Sequence, residues 1–378
     1  MILQHADVRQ RILLASPACD LAREQERFRC CTDIHTPTLL RWPAGFAASF
    51  RGKAPAVPRS ASITGVRRWS TPEFAAAGKE RITVRQLMCH EAGLYAIRDM
   101  VEHAREMLDW DQITGRLAAS PPRHAPGTAH GYHGLTYRFL VGEVVRRVAG
   151  NKLFPELIEN EIAKPLGLEG LYCGVPDDQM HRCAQLLSTL TDRSLEKRRA
   201  GTLKNWDRAC RWRDRLKKVG IRYDPTETLS ALLPVGMEEL EFNSDAFRSA
   251  SIPAANGFFT ARSLARMYAC LAQGGELDGV RLLSHDTVRK ASQEQNRGAG
   301  RVIPISMRWR LGYHRAFAVR ARTPGGFGHF GFGGSGGWAD AQRQLSVALT
   351  VNSGVGTPFG DTRIARIGGA AARCADRR

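Results

Sequence analysis

The hydrophobic period of this chain changes partway along it. In the middle, Val141, Val144, Val145 and Val148 follow Thr136 and stop at Gly150, and Leu264, Met267, Tyr268 and Leu271 follow Thr260 and stop at Gly274-Gly275. Steps of three and four residues place each set on one face of a helix, and that face must be buried. Another helix is expected from about Pro155 to Ile162, ahead of Pro165, and a short one from Val84 to Glu91. For the latter, Thr83 and Gln86 have the spacing of a capping box and Gly93 supplies a left-handed stop. Toward the end the period falls to two. Arg308 to Tyr313, Ala316 to Arg320 and Leu345 to Val351 read as strands, and glycine-rich residues from Gly325 to Gly337 lead into a hairpin turning near Asp340 to Gln344. Helices followed by an antiparallel sheet specify an α+β fold.

With 378 residues, 43% of them hydrophobic, the chain can bury a real core in one large domain or two modest ones. No window approaches the roughly eighteen unbroken apolar residues of a membrane span, and Asp7, Arg9 and Arg11 break up the first residues, so neither a span nor a signal peptide is expected. Nine cysteines, an odd number without a C-x-x-C, argue against a disulfide framework or a zinc site and fit a reducing cytoplasm. The formal charge of +18 raises the question of an anionic partner. Its densest stretch, Arg193 to Lys218, carries Trp206 and Trp212, but Glu196, Asp207 and Asp214 interrupt it. We read it as a solvated helical insertion (residues 190–225) whose aromatics pack inward, and expect no nucleic-acid partner. From Ile34 to Pro72 there is no acidic residue among scattered Arg, Pro, Ala and Ser, so residues 1–65 stand apart as an atypical basic segment. Residues 366–378 read as a basic tail.

Two motifs suggest chemistry and do not hold it. Gly333-Gly334-Ser335-Gly336-Gly337 is a literal G-x-S-x-G, but that elbow needs a strand running into a helix and a histidine later in the chain, and the histidines end at His329. His124, His130 and His133 have no carboxylate among them and no zinc-helix spacing, so no metal is expected.

A set of segments taken in order carries more. Thr83-Val84-Arg85-Gln86-Leu87-Met88-Cys89-His90-Glu91-Ala92-Gly93-Leu94 is followed by Pro126-Gly127-Thr128 leading to Tyr132-His133-Gly134. The amphipathic helix and Pro165-Leu166-Gly167-Leu168 come next. Ala254-Ala255-Asn256-Gly257 then precedes the helix after Thr260, and Gly328-His329-Phe330-Gly331 precedes the final hairpin. Together, over residues 66–365, they resemble the serine β-lactamase and penicillin-binding-protein superfamily, specifically its esterase- and lipase-like branch. The resemblance implies a β-lactamase/transpeptidase-like fold, an antiparallel sheet flanked by helices with a helical subdomain, of which the earliest part is missing from the pattern. It also implies acyl transfer without a cofactor: a serine attacks a carbonyl, the lysine of S-x-x-K and a tyrosine manage the proton, and backbone amides hold the oxyanion.

On that resemblance Tyr132 is the tyrosine, and His329 occupies the edge-strand place where lactamases keep a lysine, which favours neutral esters over penicillin-like anions. Gly331 would let substrate approach the strand, the Phe332 amide would help to form the oxyanion hole, and His133 would border the substrate. Gly134 departs from the pattern where an asparagine is expected, and Arg138 stands where relatives keep a small residue. The nucleophile motif belongs at about residues 33–50, where only Ser49 and Lys53 offer themselves, four apart instead of three. The literal Ser194-Leu195-Glu196-Lys197 falls inside the basic insertion and on the wrong side of the tyrosine. The expected function is hydrolysis of a small-molecule carboxylic ester. The alternatives are a catalytically inactive or frame-disrupted homologue and a basic-surface binding protein.

Overall fold

The computed structural model describes residues 12–15, 72–188, 194–331, 333–354 and 361–377. Ser49, Lys53 and Phe332 lie outside the described residues, as does nearly all of the segment 1–65.

The helical half is built on α1 (Val84–Met88), α2 (Trp110–Ala119) and α3 (Tyr137–Val148). The capping box at α1 is present in both directions: the Gln86 amide donates to the Thr83 hydroxyl, and Gln86 Oε1 accepts from the Thr83 amide at 2.9 Å. Leu87, Ile97, Met107, Ile113, Leu117 and Phe139 converge beneath these helices in one apolar cluster. Helices α4 (Leu195–Lys218) and α5 (Pro225–Leu232) follow.

The second half is a five-stranded antiparallel sheet of β1 (Ile12–Ala15), β2 (His314–Arg315), β3 (Phe327–Phe330), β4 (Gly336–Asp340) and β5 (Leu345–Leu349), in spatial order β1-β5-β4-β3-β2. Strand alternation sorts its side chains. Leu345, Val347 and Leu349 join Trp338 against Ile364, Ala371 and Ala372 of α7 (Arg363–Ala375), while Ala348, Ala339 and Phe327 meet Leu264, Tyr268 and Leu271 of α6 (Ala261–Ala272). The sheet is thus covered by a helix on each face, as an α+β fold of this kind requires.

Four expectations are corrected. Arg308 to Tyr313 and Ala316 to Arg320 are not strands: Arg308, Gly312 and Arg320 take positive φ, which breaks the extended backbone, and only His314–Arg315 between them pairs. Trp309 and Leu311 are nevertheless buried, but so is Arg310 between them, so burial here does not alternate. On α3 the buried face is Phe139, Leu140 and Val144; Val145 is exposed and Val148 is 75% exposed. The rotation is set by Glu143, which is buried and takes hydrogen bonds from Trp110, Arg146 and Arg147. Of the two tryptophans in the basic insertion, Trp206 is covered, with the Arg98 guanidinium 4.6 Å over its ring, but Trp212 is half exposed. Finally, residues 366–375 are not a tail but most of α7. Glycines let that helix lie close: a Cβ on Gly369 would stand 1.9 Å from the Val319 carbonyl oxygen.

Candidate active site

Tyr132 is held by the residues that follow α1. The loop before α3 is stitched to that turn by three amide-to-carbonyl bonds, Arg123 to Gly93 (2.8 Å), Gly127 to Glu91 (2.9 Å) and Gly131 to His90 (3.0 Å). His90 sits at φ 65°, and its Nδ1 accepts from the His133 amide at 3.3 Å. Gly127 has to be glycine for two reasons: φ is 83°, and a Cβ would meet the Gln86 side chain at 2.6 Å. The capping-box glutamine therefore packs under the turn that delivers the tyrosine.

The Tyr132 ring lies parallel to Trp309, with centroids 5.2 Å apart and planes 10° apart, and meets His90 edge-on at 5.2 Å. Its hydroxyl is 3.3 Å from Nε2 of His329 on β3. Tyr132 and His329, expected together on resemblance alone, are thus brought together from the two halves of the fold. Behind His329 stands His314, paired into the sheet opposite Gly328, with ring centroids 5.1 Å apart. Nε2 of His314 accepts from the Phe330 amide at 3.1 Å, which leaves the ring proton on Nδ1, 2.7 Å from the Arg315 carbonyl that accepts it.

Burial governs the protonation here. It pushes the Tyr132 hydroxyl up to about 12, with Arg138 pulling the other way. It pushes the His329 ring well below its ordinary value, reinforced by His314 and Arg138, and brings His314 down to about 4. At neutral pH the pair is therefore a neutral phenol beside a neutral imidazole. A phenol so placed is a poor base, and it removes a proton efficiently only when a further cation stabilises the phenolate or the proton moves on in concert.

The other expected site residues stand differently. His133 is buried, and its Nε2 accepts from the Leu94 amide at 3.0 Å. Burial holds this ring down to about 3. It braces the loop, its ring stacked on His90 at 5.5 Å and edge-on to Tyr95 at 5.7 Å. Gly331 donates its amide to the Ser335 carbonyl at 2.7 Å, closing the turn between β3 and β4. At Gly134 a Cβ would meet Leu232 Cδ2 of α5 at 2.3 Å, so that leucine fills the space where an asparagine side chain would project. Ser335 is engaged by Val351, whose amide donates to its Oγ at 2.9 Å. Ser194 caps α4.

Trp309 and His314 escaped the sequence reading. Trp309 lies in a run taken for a strand and His314 falls between two such runs, and the signal available was the clustering of Trp309, Tyr313 and His314 ahead of the Gly-His-Phe-Gly segment.

The sheet with a helix on each face, the helical half beside it and the tyrosine and histidine meeting between them define a scaffold of the β-lactamase type. The beta-lactamase family model matches residues 57–372, and the chain belongs to that family. It is 33% identical over 293 residues to the esterase/beta-lactamase LipL of Mycobacterium tuberculosis, covering 74% of this chain and 61% of that protein. The chain thus spans about three-fifths of the length of this curated relative. Among solved structures it is similar to a family VIII carboxylesterase, at 32% identity over 80% of this chain and 74% of that one, with a TM-score of 0.66. A penicillin-binding protein homolog from Caulobacter crescentus matches at 32% identity over the same shares, with a TM-score of 0.65.

Proposed function

We propose that this protein hydrolyses small carboxylic esters through an acyl-enzyme, with Tyr132 handling the proton and His329 lining the edge strand. The observation that carries this reading is the 3.3 Å approach of the Tyr132 hydroxyl to His329 Nε2 within a family whose similar members are named esterases. His90, His133, His314 and His329 are all held toward the neutral form by burial, so the wall beside Tyr132 offers no imidazolium to a substrate carboxylate. A neutral ester suits such a wall better than an anionic amide. In this reading Ser49 is the candidate nucleophile and Lys53 its partner, Gly331 lets the substrate approach the strand, and the Phe332 amide helps to form the oxyanion hole. Cys89, Cys173, Cys183, Cys210, Cys270 and Cys374 are free thiols, which supports a reducing, cytoplasmic setting.

The test is labelling of the purified full chain with a fluorophosphonate and turnover of a short-chain nitrophenyl ester. Labelling that disappears in Ser49→Ala, with turnover lost in Tyr132→Phe, is the expected result. A folded chain that takes no label overturns the proposal in favour of an inactive homologue.

A further inference from the structure

Helix α4 carries ten Lys or Arg against three Asp or Glu. Its inward stripe includes Trp206, Ala209 and Arg213, of which Ala209 is buried. At 100° per residue, the sector opposite that stripe holds Lys197, Lys204, Arg208, Arg211, Arg215 and Lys218, at steps of seven, four, three, four and three. All six are exposed, and none has an ion-pair partner among the described residues, whereas Arg199 and Arg213 pair with Glu239 and Asp214. The result is a straight cationic ridge about 32 Å long at 1.5 Å per residue.

The residues beside the ridge narrow the partner. Trp212 and Val219, seven apart, share one flank and are 50% and 70% exposed; Leu203 on the other flank is 66% exposed. The acids Glu196, Asp207 and Asp214 gather on the Leu203 side, and the helix carries no acidic residue on the Trp212 side. A ridge of cations edged by bare apolar side chains does not match a nucleic-acid site, whose surface is polar and strongly cationic and gains nothing from exposed valine and leucine. It matches a flat anionic lipid surface, where cations meet headgroups and an indole with its aliphatic neighbour enters the boundary below them.

We propose that the outer face of α4 docks this protein peripherally on anionic membranes, with Trp212 and Val219 as the inserted edge. The proposal stands independently of the ester-hydrolase reading, since it uses no residue of the site. The test is co-sedimentation of the full chain with phosphatidylcholine vesicles with and without about one-third phosphatidylserine. Retention is expected on the anionic vesicles only, and is lost at about 0.5 M salt. Each of Lys204→Gln, Arg208→Gln, Arg211→Gln and Arg215→Gln should weaken it about fivefold, the factor that ~1 kcal/mol per cation near a surface represents. Arg266→Gln with Arg289→Gln, which remove paired cations elsewhere, should leave it unchanged. These side chains are exposed, so cooperative melting of every variant is the control for folding. Equal retention on pure phosphatidylcholine, undiminished retention of a variant combining these four substitutions, or tighter binding to a single-stranded oligonucleotide than to vesicles at the same salt would each overturn the proposal.

Discussion

Tyr132 and Trp309 lie face to face, 5.2 Å apart and within 10° of parallel, so the ring that presents the candidate proton-handling hydroxyl rests on a buried indole. The stack fixes the ring plane, and the His329 contact fixes the direction of its hydroxyl. Trp309→Ala is expected to cost ~3–5 kcal/mol, as for large-to-small changes in a packed core. Tyr132→Phe, which keeps the stack and loses one hydrogen bond, should cost about 1 kcal/mol. Urea unfolding of the two variants measures the difference, and equal costs would refute the bracing role of Trp309.

The buried imidazoles make stability fall on mild acidification. His133 is held at about 3 and His314 at about 4, against an unfolded value near 6.5, so in that window the unfolded chain binds protons that the folded chain does not. Their contribution is complete above about pH 6.5 and declines as pH drops through the window, by roughly 1.4 kcal/mol per unit for each ring. Unfolding free energies measured between neutral pH and about pH 4 test this, and His314→Gln should show a shallower decline.

Glu143 acts lower on the scale. Burial alone would raise its carboxyl, but hydrogen bonds from Arg146, Trp110 and Arg147 outweigh it and hold the group at about 2. This contribution is present above about pH 4.5 and is lost as pH falls toward 2. Glu143→Gln should cost roughly 2–3 kcal/mol at neutral pH, less than for a fully buried pair because both arginines are partly exposed. Thermal melts of the variant and the parent should converge near pH 2, and a constant gap would contradict the assignment.

Two glycines in helices should respond with opposite signs. A Cβ at Gly201 of α4 meets nothing within 4 Å, so Gly201→Ala should stabilise the protein by up to about 1 kcal/mol. At Gly369 of α7 the same methyl group would enter the Val319 carbonyl, and Gly369→Ala should destabilise it by ~1–3 kcal/mol or more through overpacking. Melting temperatures of the two variants on either side of the parent are the expected result.

What was legible in the sequence was local. The capping box of Thr83 and Gln86, the helix after Thr260 and the hairpin at Asp340 to Gln344 are each specified within a few residues, and each formed. The rotation of α3 was not legible, because a buried glutamate paired with two arginines overrides the valine stripe. Trp309 and His314 were missed for a related reason. They reach Tyr132 and His329 through loop packing and sheet pairing between distant segments, and no spacing in the chain records such contacts.

The leucine that fills the space beside Gly134 ties the two positions together. Asparagine placed at 134 pushes its Cβ into Leu232 Cδ2, the end of a side chain that has to give way, and trimming Leu232 alone leaves a gap beside the glycine. Each substitution relieves the defect the other creates, so the pair is expected to be non-additive. A change of polar contacts beside the tyrosine is therefore coupled to α5, at a residue that carries no chemistry of its own.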